Sequence, residues 1–246
     1  MDDKKIVAQS NVEVETGVEA LKRGDKDTAS NHFWNALDCL GDIQDDQVRR
    51  DELGPLALCY VNLGLFDLAV MGAREAIALD KKLGETRLLA EDIVTLGNAN
   101  MNLGKMDEAS ENYRDALQLC MDNGDYDNAA SASTNLAGII ANQDKMPEAI
   151  TLLRNSLDYL KKKAHPNTEK ITRMSLVQAL GLEKENPEEL IDVAKKLLER
   201  FGHEIPPDQI NVIAPHIDSA VQQYLQANPD INPQKWKTEH FPRLYR

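Results

Sequence analysis

One periodicity constrains this chain more than any other feature: glycine, alanine and bulky apolar residues recur in fixed columns every 40 residues. With units framed as 10–49, 50–89, 90–129, 130–169 and, more loosely, 170–209, column 15 holds Gly24, Gly64, Gly104 and Asp144. These residue types suit a helix end closed in the left-handed conformation. Column 20 is Ala29, Ala69, Ala109 and Ala149, and column 27 is Ala36, Ala76, Ala116 and Ser156. Column 8 is also small, with Gly17, Ala57, Gly97 and Ala137, whereas column 24 carries Phe33, Tyr113, Leu153 and Val193, with Ala73 the exception. Each unit therefore reads as two antiparallel helices joined at column 15. Column 8 is expected to face columns 20 and 27 in a close seam, while columns 7, 11, 24 and 28 fill the space between neighbouring hairpins. A lone hairpin cannot bury that surface, so such units stack.

The stretch LGNANMNLGKMDEASENYRDALQL, within Ala90 to Ala129, carries small residue, Gly, Ala, aromatic and Ala in an order that resembles the tetratricopeptide repeat. The likeness covers residues 10–160 well and 170–200 weakly. A period of 40 exceeds the usual repeat of about 34 residues and resembles the long-helix variety of LGN/Pins-type adaptors and kinesin light chains. HEAT and armadillo arrays also have periods near 40; the Gly and Ala columns favour the tetratricopeptide reading. The resemblance implies an all-α fold, a right-handed α-α superhelix or solenoid of about five helical hairpins plus a C-terminal capping helix. The expected layout is a solenoid over 1–227, its fifth unit degenerate and its cap at 208–227, followed by a basic aromatic extended tail at 228–246.

Along the chain, residues 1–9 read as a polar lead and Ser10 as the first N-cap. Pro55 falls inside the expected first helix of the second unit, which places that helix's start near Gly54 or kinks it there. Gly181 is expected to end the first helix of the fifth unit early. Pro147 and Pro187, both in column 18, mark second-helix starts. The last helix should bury Ile210, Ile213, Ile217, Val221 and Tyr224. In the tail, the prolines argue against helix, and Trp236, Phe241 and Tyr245 alternate with Lys235, Lys237, Arg243 and Arg246. Such a segment either completes the core of the last helices or docks in a groove of its own or a second copy.

Forty-one Asp and Glu against 28 Lys and Arg give a net charge of −13. This disfavours phosphate neutralisation, hence nucleic acid, and suits a basic peptide or protein partner as well as simple solubility. Cys39, Cys59 and Cys120 fit no zinc or redox spacing and read as buried reduced thiols. No signal peptide or membrane span is apparent, which makes the cytoplasm the expected location. The five histidines are isolated, and no catalytic, metal or cofactor motif appears; the chain is expected to be no enzyme.

By resemblance, columns 2, 5, 6, 9, 12 and 13 of the first helices face a concave groove. Column 13 supplies Asn62, Asn102 and Asn142, with Asn98 and Asn135 beside them. Asparagine amides both donate and accept, so a row of them can hold a peptide main chain, although asparagine before a turn is also a common cap. Leu58, Val61, Val94, Met101 and Met174 would add apolar pockets, methionine being adaptable. The family's dicarboxylate clamp lacks its basic members here, because Val94, Ile171 and Ser175 occupy their positions. The expected function is a non-catalytic scaffold holding a partner's peptide segment. The alternatives are self-assembly into a homo-oligomer through the tail, or a peptide-responsive regulatory sensor.

Overall fold

The structure, a computed structural model, describes residues 2–184 and 186–245. Among them lie twelve helices and no strand: α1 (Asp3–Lys22), α2 (Lys26–Leu40), α3 (Asp46–Leu63), α4 (Phe66–Leu83), α5 (Thr86–Asn102), α6 (Met106–Asn123), α7 (Tyr126–Ala141), α8 (Met146–Lys162), α9 (Pro166–Glu183), α10 (Pro187–Phe201), α11 (Pro207–Ala227) and α12 (Pro233–His240). Successive pairs through α9 and α10 form helical hairpins. The starts of α3, α5, α7 and α9 are 40 residues apart, as are those of α2, α4, α6 and α8. The period follows the turns: Gly24, Gly64 and Gly104 have φ of 81°, 76° and 76°, and Asp144 adopts 59°. The chain forms two compact units, Met1–Asn128 and Ala129–Arg246.

In the first unit, the alanines of columns 20 and 27 are fully buried, and the glycines of column 8 meet the rings of column 24. A Cβ on Gly17 would stand 2.8 Å from Phe33, and one on Gly97 2.8 Å from Tyr113. Column 8 thus lies under column 24 of its own hairpin, so column 24 packs within the hairpin as well as between hairpins. Where the ring is present the opposite residue is glycine; where column 24 is Ala73 or Leu153, it is Ala57 or Ala137. Tyr60 links the first two hairpins: its hydroxyl donates to the Phe33 carbonyl at 2.6 Å, and its ring meets that of Phe33 edge-on at 5.8 Å.

Two helix starts differ from the sequence expectation. Asp2, not Ser10, caps α1, accepting from the Lys4 N–H. The polar lead is helical because Ile6 is buried, and the buried Ser10 hydroxyl donates to the Ala36 carbonyl at 2.9 Å. Likewise α3 runs unbroken through Pro55, started by Asp45, whose carboxylate accepts from the Gln47 and Val48 N–H groups. An interior proline costs a helix about 3 kcal/mol. Burying Leu53, Leu56 and Tyr60 on one face of α3 outweighs that, at about 1.5–3 kcal/mol per large apolar side chain.

In the second unit, three buried hydroxyls bind α7, α8 and α9 together. Thr134 Oγ1 lies 2.8 Å from Ser156 Oγ and 2.8 Å from Thr172 Oγ1, while Ser156 Oγ also donates to the Ala130 carbonyl at 2.9 Å. Ser156 and Thr172 keep a carbonyl partner each without Thr134, so Thr134→Val should cost only about 1 kcal/mol, read as a lower urea midpoint at unchanged slope.

Helix α9 passes through Gly181 and ends at Lys184, which adopts φ 59°. Gly181 breaks nothing; it admits His216 of α11, whose ring a Cβ there would overlap. On α11, Ile213, Ile217, Ala220 and Val221 are buried, while Ile210 and Tyr224 are half-buried.

The tail is not extended. Pro233 occupies the first turn of α12, where its missing N–H costs nothing, and the Asn232 side chain accepts from the Lys235 N–H. Trp236 stacks on His240 at 4.2 Å and lies 5.3 Å from the Tyr224 ring. Phe241 is 1% exposed, and the Tyr245 hydroxyl donates to Asp218. The aromatic residues therefore pack against helices of their own unit; Arg246 lies outside the described residues.

Candidate functional site

A concave surface of the second unit follows one face of α9. Ile171, Met174, Ser175, Gln178 and Leu182 succeed one another there at helical spacing. On one side of this row a cavity of about 590 Å³ opens between α7, the start of α8 and α9, lined by Gly138, Asn142, Met146 and Leu182 among others. On the other side a cavity of about 620 Å³ is lined by Ile171, Met174, Lys170, Glu204 and Gln209. Ser175 and Gln178 line both, so the two are parts of one trough.

Small residues make the trough. Ala137, Gly138 and Ala141 leave its α7 wall low, and a Cβ on Gly138 would meet nothing within 4 Å. The hydroxyl network fixes α9 against α7 from beneath. On the opposite side of α9, the buried Glu169 carboxylate accepts from Arg173 at 2.9 Å and from Arg200 at 2.5 Å, tying α9 to α10. Exposed apolar surface remains at Ile171 (53%) and Leu182 (60%). Amide and hydroxyl groups of Asn142, Ser175 and Gln178 alternate with it. This combination of apolar patches and neutral donors and acceptors suits a polypeptide segment, whose main chain needs both kinds of partner.

The chain's charge is unevenly placed. Residues 1–128 hold 13 Lys and Arg against 26 Asp and Glu, and residues 129–246 hold 15 against 15. The acidic field belongs to the first unit, while the trough contains Asp144, Glu204 and Lys170, the last two paired at 3.4 Å.

The residues expected to bind fall in both units. Asn142 lines the 590 Å³ cavity, and Asn135 is half-buried on α7. In the first unit, Asn62 and Asn102 are exposed, as is Leu58, while Val61 is half-buried. Asn98 does not present its side-chain oxygen freely, because that oxygen accepts from the Tyr113 hydroxyl at 2.7 Å, and Asn102 donates to the Asn98 carbonyl at 2.8 Å. Met101 is half-buried with its sulfur 3.9 Å from the Tyr113 hydroxyl. Val94 is a correction: it is buried in the hairpin and offers no pocket. Sequence reasoning missed Gln178 and Leu182, although both sit in columns 9 and 13 of the fifth unit; the worn buried columns of that unit drew attention from its face.

Cys120 is buried, whereas Cys39 and Cys59 are half-buried free thiols, which corrects the expectation of three buried ones. Burial pushes the Cys120 thiol up to about 12 and raises the other two, so none is an activated nucleophile. Among the described residues, no group of three or more His, Cys, Asp or Glu could hold a metal ion, and no helix is long and apolar enough to cross a membrane.

Stacked helical hairpins with glycine turns and buried alanine columns define a helical-repeat protein. Residues 93–120, in α5 and α6, match the tetratricopeptide repeat family model. No curated protein matches it in sequence. Similar solved structures include a Rap protein complexed with competence and sporulation factor, 14% identical, covering 96% of this chain and 70% of that one with a TM-score of 0.61. Aspartyl phosphate phosphatase F from Bacillus subtilis is 10% identical, covering 96% and 65% with a TM-score of 0.72. A kinesin light chain repeat array from Podosopora anserina is 15% identical, covering 79% and 95% with a TM-score of 0.59. At such identities the likeness is one of fold.

Proposed function

We propose that the protein is a non-catalytic interaction scaffold that holds a peptide segment of a partner protein in the trough along α9. The observation that carries this reading is the continuity of the trough: two cavities of about 590 and 620 Å³ share Ser175 and Gln178, giving apolar sites at Ile171, Met174 and Leu182 on either side of neutral hydrogen-bonding groups. The exposed asparagines Asn62 and Asn102 form a second, more acidic face in the first unit, suited to a basic segment. A related reading, in which binding regulates a separate protein, is supported by the similar Rap structure bound to competence and sporulation factor. Such a scaffold would act without a cofactor, in the cytoplasm.

A peptide selected from a displayed random library on the full chain tests this reading. Gln178→Ala with Ile171→Asp should weaken its binding more than tenfold, because burying a charge against an apolar partner costs over 1.4 kcal/mol. Asn102→Ala should leave this peptide's affinity within a factor of two. Unchanged affinity in the trough variant would place the ligand elsewhere.

A further inference from the structure

We propose that Arg50, Asp80 and Asp92 form a proton-operated latch between the second and third hairpins, tight when Asp92 carries a proton and looser when it is ionised. The repeat supplies its own control. Column 31 is Leu40, Cys120 and Leu160 in the first, third and fourth hairpins, all buried, and Asp80 occupies that column with no exposure at all. Column 3, filled by Val12, Glu52, Ala132 and Thr172 elsewhere, holds Asp92, and column 1, filled by Ser10, Ala90, Ala130 and Lys170 elsewhere, holds Arg50. A buried apolar side chain thus suffices at the Asp80 position, and replacing a buried ionic cluster by well-packed apolar groups is commonly neutral or stabilising. Stability alone does not account for three buried charges here.

Their geometry shows what they do. Arg50 Nε of α3 donates to Asp80 Oδ1 of α4 at 2.5 Å, and Arg50 Nη2 donates to Asp92 Oδ2 of α5 at 3.1 Å. One guanidinium therefore joins three helices but balances only one of two carboxylates. Asp80 Oδ2 is buried without a donor, a costly state that a proton on Asp92 relieves. Gly54 makes room for this arrangement, since a Cβ there would stand 2.9 Å from Asp92 Oδ1.

Burial, reinforced by the neighbouring Asp80 carboxylate and only partly offset by Arg50, raises the Asp92 carboxyl to about 7. The other charged groups around it are Asp51 of α3, whose Oδ1 lies 4.0 Å from Arg50 Nη1, and Glu91 of α5, itself held by Arg87 at 2.7 Å. Because the folded value lies above the ordinary carboxylate value, the folded joint binds the proton that an opened joint releases. Its stability is greatest below the ordinary carboxylate range, falls as pH rises towards 7, and levels off above.

Amide hydrogen exchange on the full chain, corrected for intrinsic rates between pH 5 and 8, reads this directly. The opening equilibrium of α5 should rise about tenfold per pH unit up to near 7 and then flatten. Asp92→Asn should abolish the slope. So should Asp80→Leu, which restores the residue type of its column and leaves Arg50 paired with Asp92 alone. A pH-independent wild type, or a slope that survives in either folded variant, overturns the latch. The Asp92 carboxyl carbon shift in the wild type gives an answer even if neither variant folds: a midpoint near 7 supports the proposal, and one below 5 contradicts it.

Discussion

Gly97→Ala should destabilise the first unit by about 1–3 kcal/mol, the usual cost of forcing a methyl into a filled core, and should do so almost entirely through Tyr113. The added Cβ would lie 2.8 Å from Tyr113 Cε1, and the ring is fully buried with its hydroxyl bonded to Asn98. It has nowhere to retreat. The fourth hairpin shows the remedy, since it pairs Ala137 with Leu153 in the same two columns. In a Tyr113→Leu background the glycine substitution should therefore cost little or even recover stability, by filling the space the ring vacates. A double-mutant cycle on urea denaturation should return a favourable coupling of at least about 1 kcal/mol. Additive effects would mean that columns 8 and 24 do not meet as described.

The second large effect is at the other end of the chain. Phe241→Ala should cost the second unit about 3–5 kcal/mol, the usual range for emptying a buried aromatic site, because Phe241 is 1% exposed and packs with Trp236 and Tyr245. Ending the chain at Ala227 removes all three rings and should destabilise at least as much. The two tryptophans divide the labour of measurement: with Trp34→Phe, Trp236 reports the second unit alone, and its denaturation midpoint should fall sharply in Phe241→Ala. A tail that left the midpoint unchanged when altered would be an appendage, contrary to its packing on α11.

The repeat frame was legible because turns and close packing restrict residue type: only glycine or a tolerant aspartate fits the left-handed positions at Gly24, Gly64, Gly104 and Asp144. That column 8 pairs with column 24 was not recognised. The pairing was nevertheless written in the sequence, since Gly17 accompanies Phe33, Gly97 accompanies Tyr113 and Ala137 accompanies Leu153. Local rules failed where tertiary burial overrode them. Ser10 looks like a cap but is buried beneath Ala36, and Pro55 looks like a boundary but sits exposed on a helix whose other face is core. At the tail, proline was read as a helix breaker when its place in the first turn of α12 makes it a starter.

The candidate site was legible as a set of columns but not as a place. Asn142 and Met174 line the trough, whereas Asn98 and Met101 engage Tyr113 and Val94 is core. The columns fix direction from a helix axis, while the open volume depends on neighbouring side chains such as Gly138 that no single column reveals. The Arg50 cluster was invisible for a similar reason, because its members lie in three different columns and meet only when hairpins stack.

Chemical-shift mapping of the full chain with the tightest library-selected peptide tests the central claim most directly. The account predicts shifts concentrated at Gly138, Asn142, Ser175, Gln178 and Leu182. Shifts confined to the outer helices α8 and α10, or absent from α9, would contradict it.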